Sequence, residues 1–118
     1  MANEGLHEAN DDLSEETRDL HRALVSLQEE LEAIDWYRQR ADACHDDQLE
    51  AILLHNMREE MEHAAMLTEW LRRNDSDFNG HLHNYLFTEV PITEVEESLT
   101  RQADDEVIKI HTIGSLKE

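Results

Sequence analysis

One cysteine, Cys44, one proline, Pro91, and three glycines are all that 118 residues contain of the usual staples and turn formers. A lone cysteine makes no intrachain disulfide and offers no Cys-x-x-Cys pair for a thiolate-held iron. So little Gly and Pro excludes a fold of many short, tightly turned strands and points to long helices. Aromatic residues are 5% of the chain, so large side chains for a self-sufficient core are scarce. Two helices with short additions cannot bury much apolar surface alone, and oligomerisation is expected. Cationic residues are short as well: 10 Lys and Arg stand against 29 Asp and Glu, a formal charge of −19. Nucleic acid and anionic membranes are bound through clustered Lys and Arg, so neither is an expected partner, whereas cations are. No run approaches the length of a membrane span and no apolar leader opens the sequence, so a soluble, cytoplasmic protein is expected.

What remains is helical pattern. Residues 1 to 11 lack periodicity and read as a mobile N-terminal arm. Asp12 with Glu15 has capping-box spacing, and Ser14 is a second candidate cap. The first helix then carries Leu20, Leu24, Leu27, Leu31 and Ile34, stepping by four and three, weakly continued to Ala41. Such spacing describes a bundle seam, with Ala23, Glu30 and Tyr37 flanking it. The periodicity breaks over Asp42 to Asp47, and Asp47 with Glu50 offers the next cap, for a helix running to Arg73. So short a connection favours antiparallel neighbours. Phe78, Leu82, Tyr85 and Leu86 mark a short third helix weakened by Gly80. A turn at Thr88 to Thr93 follows, with Thr93 capping a last acidic helix to about Ala103. The predicted class is all-α: an antiparallel two-helix hairpin plus short C-terminal helices, over 12–103, with 104–118 a flexible tail. In that tail Ile108, Ile110, Ile113 and Leu116 are either a strand docking on its own domain or a short linear motif for another protein's groove.

The second helix holds the residues of chemical interest, Glu60-x-x-His63. Three residues advance a helix by about 4.5 Å and turn it by about 300°, so both side chains leave one face. They interrupt a stripe of Leu49, Leu53, Asn56, Glu60, His63, Leu67 and Trp70, apolar at both ends and polar in the middle. An unpaired buried carboxylate costs several kcal/mol, and a bound cation removes that cost. On a Glu-rich helix the pair also arises by chance, or as a structural ion pair, so it gains weight only beside Glu30. In ferritin-like di-iron proteins the site takes a Glu from each of two helices and a Glu-x-x-His from each of the other two. This chain holds half of that set. Two copies about a two-fold axis would form a ferritin-like four-helix bundle only on dimerisation, and their four carboxylates would balance two ferrous ions. Oxygen-rich ligands with one imidazole per metal suit iron or manganese, with zinc allowed by affinity. His55 reads as an outer partner of His63 or an interface residue; His81 and His83 form a weak metal pair at best.

Four separated segments, Glu29-Glu-Leu-Glu-Ala-Ile-Asp-Trp-Tyr37, His55-Asn-Met-Arg-Glu-Glu-Met-Glu-His-Ala-Ala-Met66, Glu69-Trp-Leu-Arg-Arg-Asn-Asp75 and Tyr85-Leu-Phe-Thr-Glu-Val-Pro-Ile-Thr93, together resemble the encapsulated ferritins. These are ferritin-like ferroxidase cargo of encapsulin nanocompartments. The resemblance implies a ferroxidase centre at a dimer interface, built by Glu30, Glu60 and His63 of each copy and holding two iron ions per pair, with Tyr37 close by. It also implies an iron-attraction site from Glu29 and Glu32 with Trp36 nearby, and a ring-like decamer of five dimers. The tail Thr112-Ile-Gly-Ser-Leu-Lys117 is similar to the signal that holds cargo on an encapsulin shell. Ile113 and Leu116 would fill apolar pockets while Gly114 and Ser115 keep the backbone adaptable. The implied activity is oxidation of Fe(II) to Fe(III) for iron storage and detoxification inside the shell, in the cytoplasm. Two alternatives stay open on the residues alone: another di-metal peroxidase, and a non-enzymatic acidic helical scaffold or adaptor.

Overall fold

The structure, a computed structural model, describes residues 5–117, with side chains described for 5–109. Every described element is helical: α1 Glu15–Ala43, α2 Asp47–Asn74, α3 Ser76–Tyr85 and α4 Val95–Lys117, with 3-10 turns at Asn10–Asp12 and Ile92–Glu94. Contacts divide the chain into two units, Met1–Asp75 and Ser76–Glu118.

In the first unit α1 and α2 are free of Gly and Pro, acidic in their first turns and basic in their last. Each choice agrees with helix propensity and with the helix dipole. Ser14 starts α1, its hydroxyl accepting from Thr17 N–H at 3.1 Å. Asp12, the other candidate cap, lies instead in the preceding 3-10 turn. Residues expected to form a mobile arm thus carry local structure from Asn10, and Arg18 donates to the Leu13 carbonyl at 2.8 and 3.2 Å. Ser14→Ala is expected to cost the metal-free chain about 1 kcal/mol in urea unfolding. Asp46 caps α2, accepting from Leu49 N–H at 2.8 Å, one residue earlier than predicted.

The connection Cys44–Asp46 turns the chain back, so α1 and α2 pack as an antiparallel hairpin. Its buried residues are Ala23, Ala41, Met57, Ala64 and Leu71. Leu20, Leu27, Glu30, Ile34 and Tyr37 of α1, and Leu53, Glu60 and Leu67 of α2, are half-buried between them. The seam therefore runs through Ala23, Glu30 and Tyr37, which the spacing had placed at its border. Leu24 and Leu31 are exposed, as are Leu49 and Trp70 of the predicted α2 stripe. Alanine explains the phase: small residues facing inward let the helices approach, and Leu24 and Leu31, one residue on, fall about 100° away. At the end of α2, Glu69 accepts from Arg72 at 2.6 and 2.8 Å and from Arg73 at 2.6 Å. Those two guanidinium groups lower its carboxyl to about 2.

In the second unit, Gly80 is accommodated inside α3, where a Cβ would meet nothing within 4 Å. Thr93 lies within the 3-10 turn rather than capping α4, and Val95 is buried. α4 does not stop near Ala103 but continues to Lys117. The side chains of Ile113, Gly114, Ser115 and Leu116 lie outside the described residues. Between α3 and α4, Phe87 has φ 61°, a left-handed conformation that costs a bulky side chain about 1–2 kcal/mol. Its ring is fully exposed. Among the described residues, no helix is long and apolar enough to cross a membrane.

Candidate metal centre

The seam places Glu30 of α1 and Glu60 of α2 at mid-hairpin, and His63 follows one turn after Glu60. His63 Nδ1 stands 3.6 Å from Glu30 Oε2 and 3.5 Å from Glu60 Oε2. One ligand atom from each of the three lies within 4.8 Å of the others. Spacings of 3.5 and 3.6 Å are beyond good hydrogen bonds, so the imidazole converges on both carboxylates without satisfying either. Glu30 Oε2 is buried and has no hydrogen-bond partner.

That orphaned oxygen and the electrostatics agree. The Glu60 carboxyl, contending with Glu30 for one proton, and then burial push the Glu30 carboxyl above its ordinary value, with His63 pulling it partly back. Two carboxylates and an imidazole thus share a half-buried place. A divalent cation preferring oxygen with one nitrogen, as iron and manganese do, fits the donor set. Toward the C-terminal end of α2, Leu67 and Trp70 line an open groove of about 280 Å³ with Asp19, Arg22, Ala23 and Ser26.

The other candidate residues lie apart. Glu29 and Glu32 are exposed and belong to no cluster of three possible ligands among the described residues. Trp36 is exposed, and Tyr37 is half-buried on the seam, two turns from Glu30. The Arg40 guanidinium sits 5.9 Å from the Trp36 ring and 5.7 Å from that of Tyr37. Sequence reasoning passed over Arg40, although its i+3 and i+4 spacing from the two rings is the signal that would find it. His55 pairs loosely with Glu59, Nε2 to Oε1 3.8 Å. His81 and His83 are exposed and join no such cluster.

A family model described as EncFtn-like matches residues 5–89, which include the hairpin, its three converging residues and α3. The chain belongs to the EncFtn-like family. It is 57% identical over 100 residues to an encapsulated ferritin-like protein of Rhodospirillum rubrum, covering 85% of this chain and 71% of that one. It is 54% identical over 91 residues to a ferritin-like protein of Thermotoga maritima, covering 77% and 80%. Among solved structures, protein ne0167 from Nitrosomonas europaea matches with a TM-score of 0.72 at 59% identity, over 75% of this chain and 97% of that one. The EncFtn-like match ends before α4, so the last helix stands outside the part that identifies the family.

Proposed function

We propose that this EncFtn-like chain is a ferroxidase that oxidises Fe(II) to Fe(III) at a di-iron centre shared by two copies. The observation that carries the reading is the convergence of Glu30, Glu60 and His63 around the unpartnered Glu30 Oε2. Each copy supplies two carboxylates and an imidazole; a two-fold axis beside them doubles the set and closes a four-helix bundle. Iron is the substrate, and bound as a pair it supplies the electrons that an oxidant such as dioxygen takes up. The side chains bind and orient: Glu30 and Glu60 neutralise the incoming charge, and His63 fixes one ligand direction. Ala23, Ala41 and Ala64 keep the two helices close enough for Glu30 to reach the Glu60–His63 pair.

The exposed Glu29 and Glu32 would draw Fe(II) toward the hairpin, with Trp36 and Tyr37 flanking its path. Pairs of chains would assemble further into a ring-like decamer, which the scarcity of buried residues in one hairpin favours. The encapsulated relative supports a place inside an encapsulin shell, reached through the tail at Ile113 to Leu116, in the cytoplasm, where the shell would store what the chain oxidises.

Anaerobic Fe(II) titration followed by native mass spectrometry tests the reading. About one iron per chain, bound as metal-loaded pairs, is expected from a two-fold site. Admitting air should then produce Fe(III) absorbance well above the protein-free rate. Iron binding without that enhancement would overturn the enzymatic claim.

A further inference from the structure

Arg40 is set apart by where its charge lies. In a chain with 29 Asp and Glu against 10 Lys and Arg, its guanidinium forms no ion pair among the described residues. It sits over two aromatic rings instead, 5.9 Å from the centre of Trp36 and 5.7 Å from that of Tyr37. Those two residues are neighbours in sequence and so leave α1 about 100° apart, one exposed and one half-buried on the seam. A residue at i+4 from the first and i+3 from the second is placed to reach both. Both covered rings lie within about two turns of Glu30 on the same helix. The remaining Trp and Tyr of the chain, Trp70 and Tyr85, have no cation over their rings among the described residues. Exposure alone would make Trp36, at 49%, more open to attack than Trp70, at 36%.

We propose that Arg40 shields Trp36 and Tyr37 from one-electron oxidation. A cation over a neutral ring is held by the electron density of the ring face. Removing an electron makes the ring positive, and the same guanidinium at 5.7 and 5.9 Å then opposes the change. One side chain covers both rings, the exposed one and the one that faces the seam. The use of this shield in turnover rests on the ferroxidase reading. Two Fe(II) that pass one electron each to dioxygen, with two protons from water, leave two Fe(III) and hydrogen peroxide. Peroxide that takes one electron and one proton from each of two rings, the phenolic proton of a tyrosine and the indole N–H proton of a tryptophan, leaves as two waters and two ring radicals. Two further Fe(II) can supply the same two electrons. Arg40 disfavours the loss from Trp36 and Tyr37, so the electrons come from iron and the helix that carries Glu30 is preserved.

The test uses the full chain. Metal-free protein is treated with hexachloroiridate(IV), a one-electron oxidant, in salt that screens long-range steering. A ring that gives two electrons to two such ions, and two protons to water, gains one oxygen from water, and peptide mass spectrometry reads that oxygen ring by ring. Arg40→Gln should raise oxidation at Trp36 and Tyr37 at least about threefold, the least that unit charges this far apart imply in water. Trp70 and Tyr85 should be unchanged, and so should helicity by circular dichroism. The oxidant is an anion, so losing a cation that merely steered it would slow the reaction; the sign separates shielding from steering. Arg40→Lys keeps the charge and should restore most of the protection. Equal oxidation in Arg40→Gln and the parent, a rise at all four rings alike, or an Arg40→Lys chain as reactive as Arg40→Gln would overturn the proposal. With repeated additions of Fe(II) in air, Arg40→Gln should start at the parent's rate of Fe(III) formation and then accumulate oxygen on Trp36 and Tyr37; rings left unmodified there would overturn the protective role. A parent chain that forms Fe(III) no faster than protein-free solution defeats the ferroxidase reading alone, and the metal-free comparison still decides the shield.

Discussion

Glu30→Ala, Glu60→Ala and His63→Ala are each expected to lower the rate of Fe(II) oxidation at least about a hundredfold, given that even outer partners of metal ligands cost 10–100-fold when removed. The expectation follows from the small size of the half-site. Each copy brings three ligand side chains, so losing one from both copies removes a third of the protein's donors and, for either glutamate, two of the four negative charges that neutralise the metals. Stopped-flow absorbance after mixing Fe(II) with aerated protein measures it, with bound iron counted separately by native mass spectrometry. Glu29→Ala and Glu32→Ala should behave differently, slowing iron uptake at low Fe(II) while leaving the rate at saturating Fe(II) close to the parent's. Equal rates in all five variants would return the scaffold alternative to the front.

Glu30→Gln is expected to stabilise the metal-free chain while abolishing its response to iron. The folded state holds the Glu30 carboxyl above its ordinary value of 4.5, chiefly because the Glu60 carboxyl is beside it. A group raised on folding binds its proton more tightly in the folded chain, so its contribution is present below the unfolded value and lost as pH rises through the folded one. The parent chain should therefore lose stability relative to Glu30→Gln as pH rises from the ordinary carboxyl value through the raised folded one, where the carboxylate ionises against its neighbour. A gain in Tm of roughly 2–5 °C for the Gln variant above the folded value, shrinking toward the ordinary one, is the size that a modest repulsion gives in a chain of this length. Iron has the opposite dependence: a cation competes with protons for the Glu30 carboxylate, so binding tightens as pH rises. A parent chain that gained on the variant over that rise in pH without metal would contradict this account.

Much of the hairpin was legible because α1 and α2 carry strong periodicity and no internal Gly or Pro. Glu60 and His63 stood out for a related reason, as polar residues set in an apolar stripe, whereas Glu30 read only as a residue at the border of the α1 seam. The phase of α1 was legible only in part: Leu20, Leu27, Ile34 and Ala41 of the predicted stripe face inward, but Leu24 and Leu31 are exposed and Ala23, read as flanking, is buried. Hydrophobicity alone favours the leucines, whereas close approach of two helices favours the small alanine. Caps slipped by one or two residues where acids stand in a row, as at Asp46 and Asp47, since either could accept the same hydrogen bond. The end of α4 was missed because an isoleucine-rich segment around Gly114 reads as extended chain. Nothing in the pattern marks Phe87 as left-handed, since that conformation is ordinarily signalled by Gly or Asn.

The three-residue link between α1 and α2, Cys44–Asp46, has a kinetic consequence. It makes the meeting of Glu30 with Glu60 and His63 a local event within one chain, of the fast, low-contact-order kind. Completing the proposed centre requires an encounter between two chains. Half-sites would accumulate in proportion to protein concentration, and whole sites, while scarce, in proportion to its square. Specific activity would then climb on concentrating the protein and level off once pairing is complete. Confining many copies in a small volume would raise turnover per chain without altering a single residue.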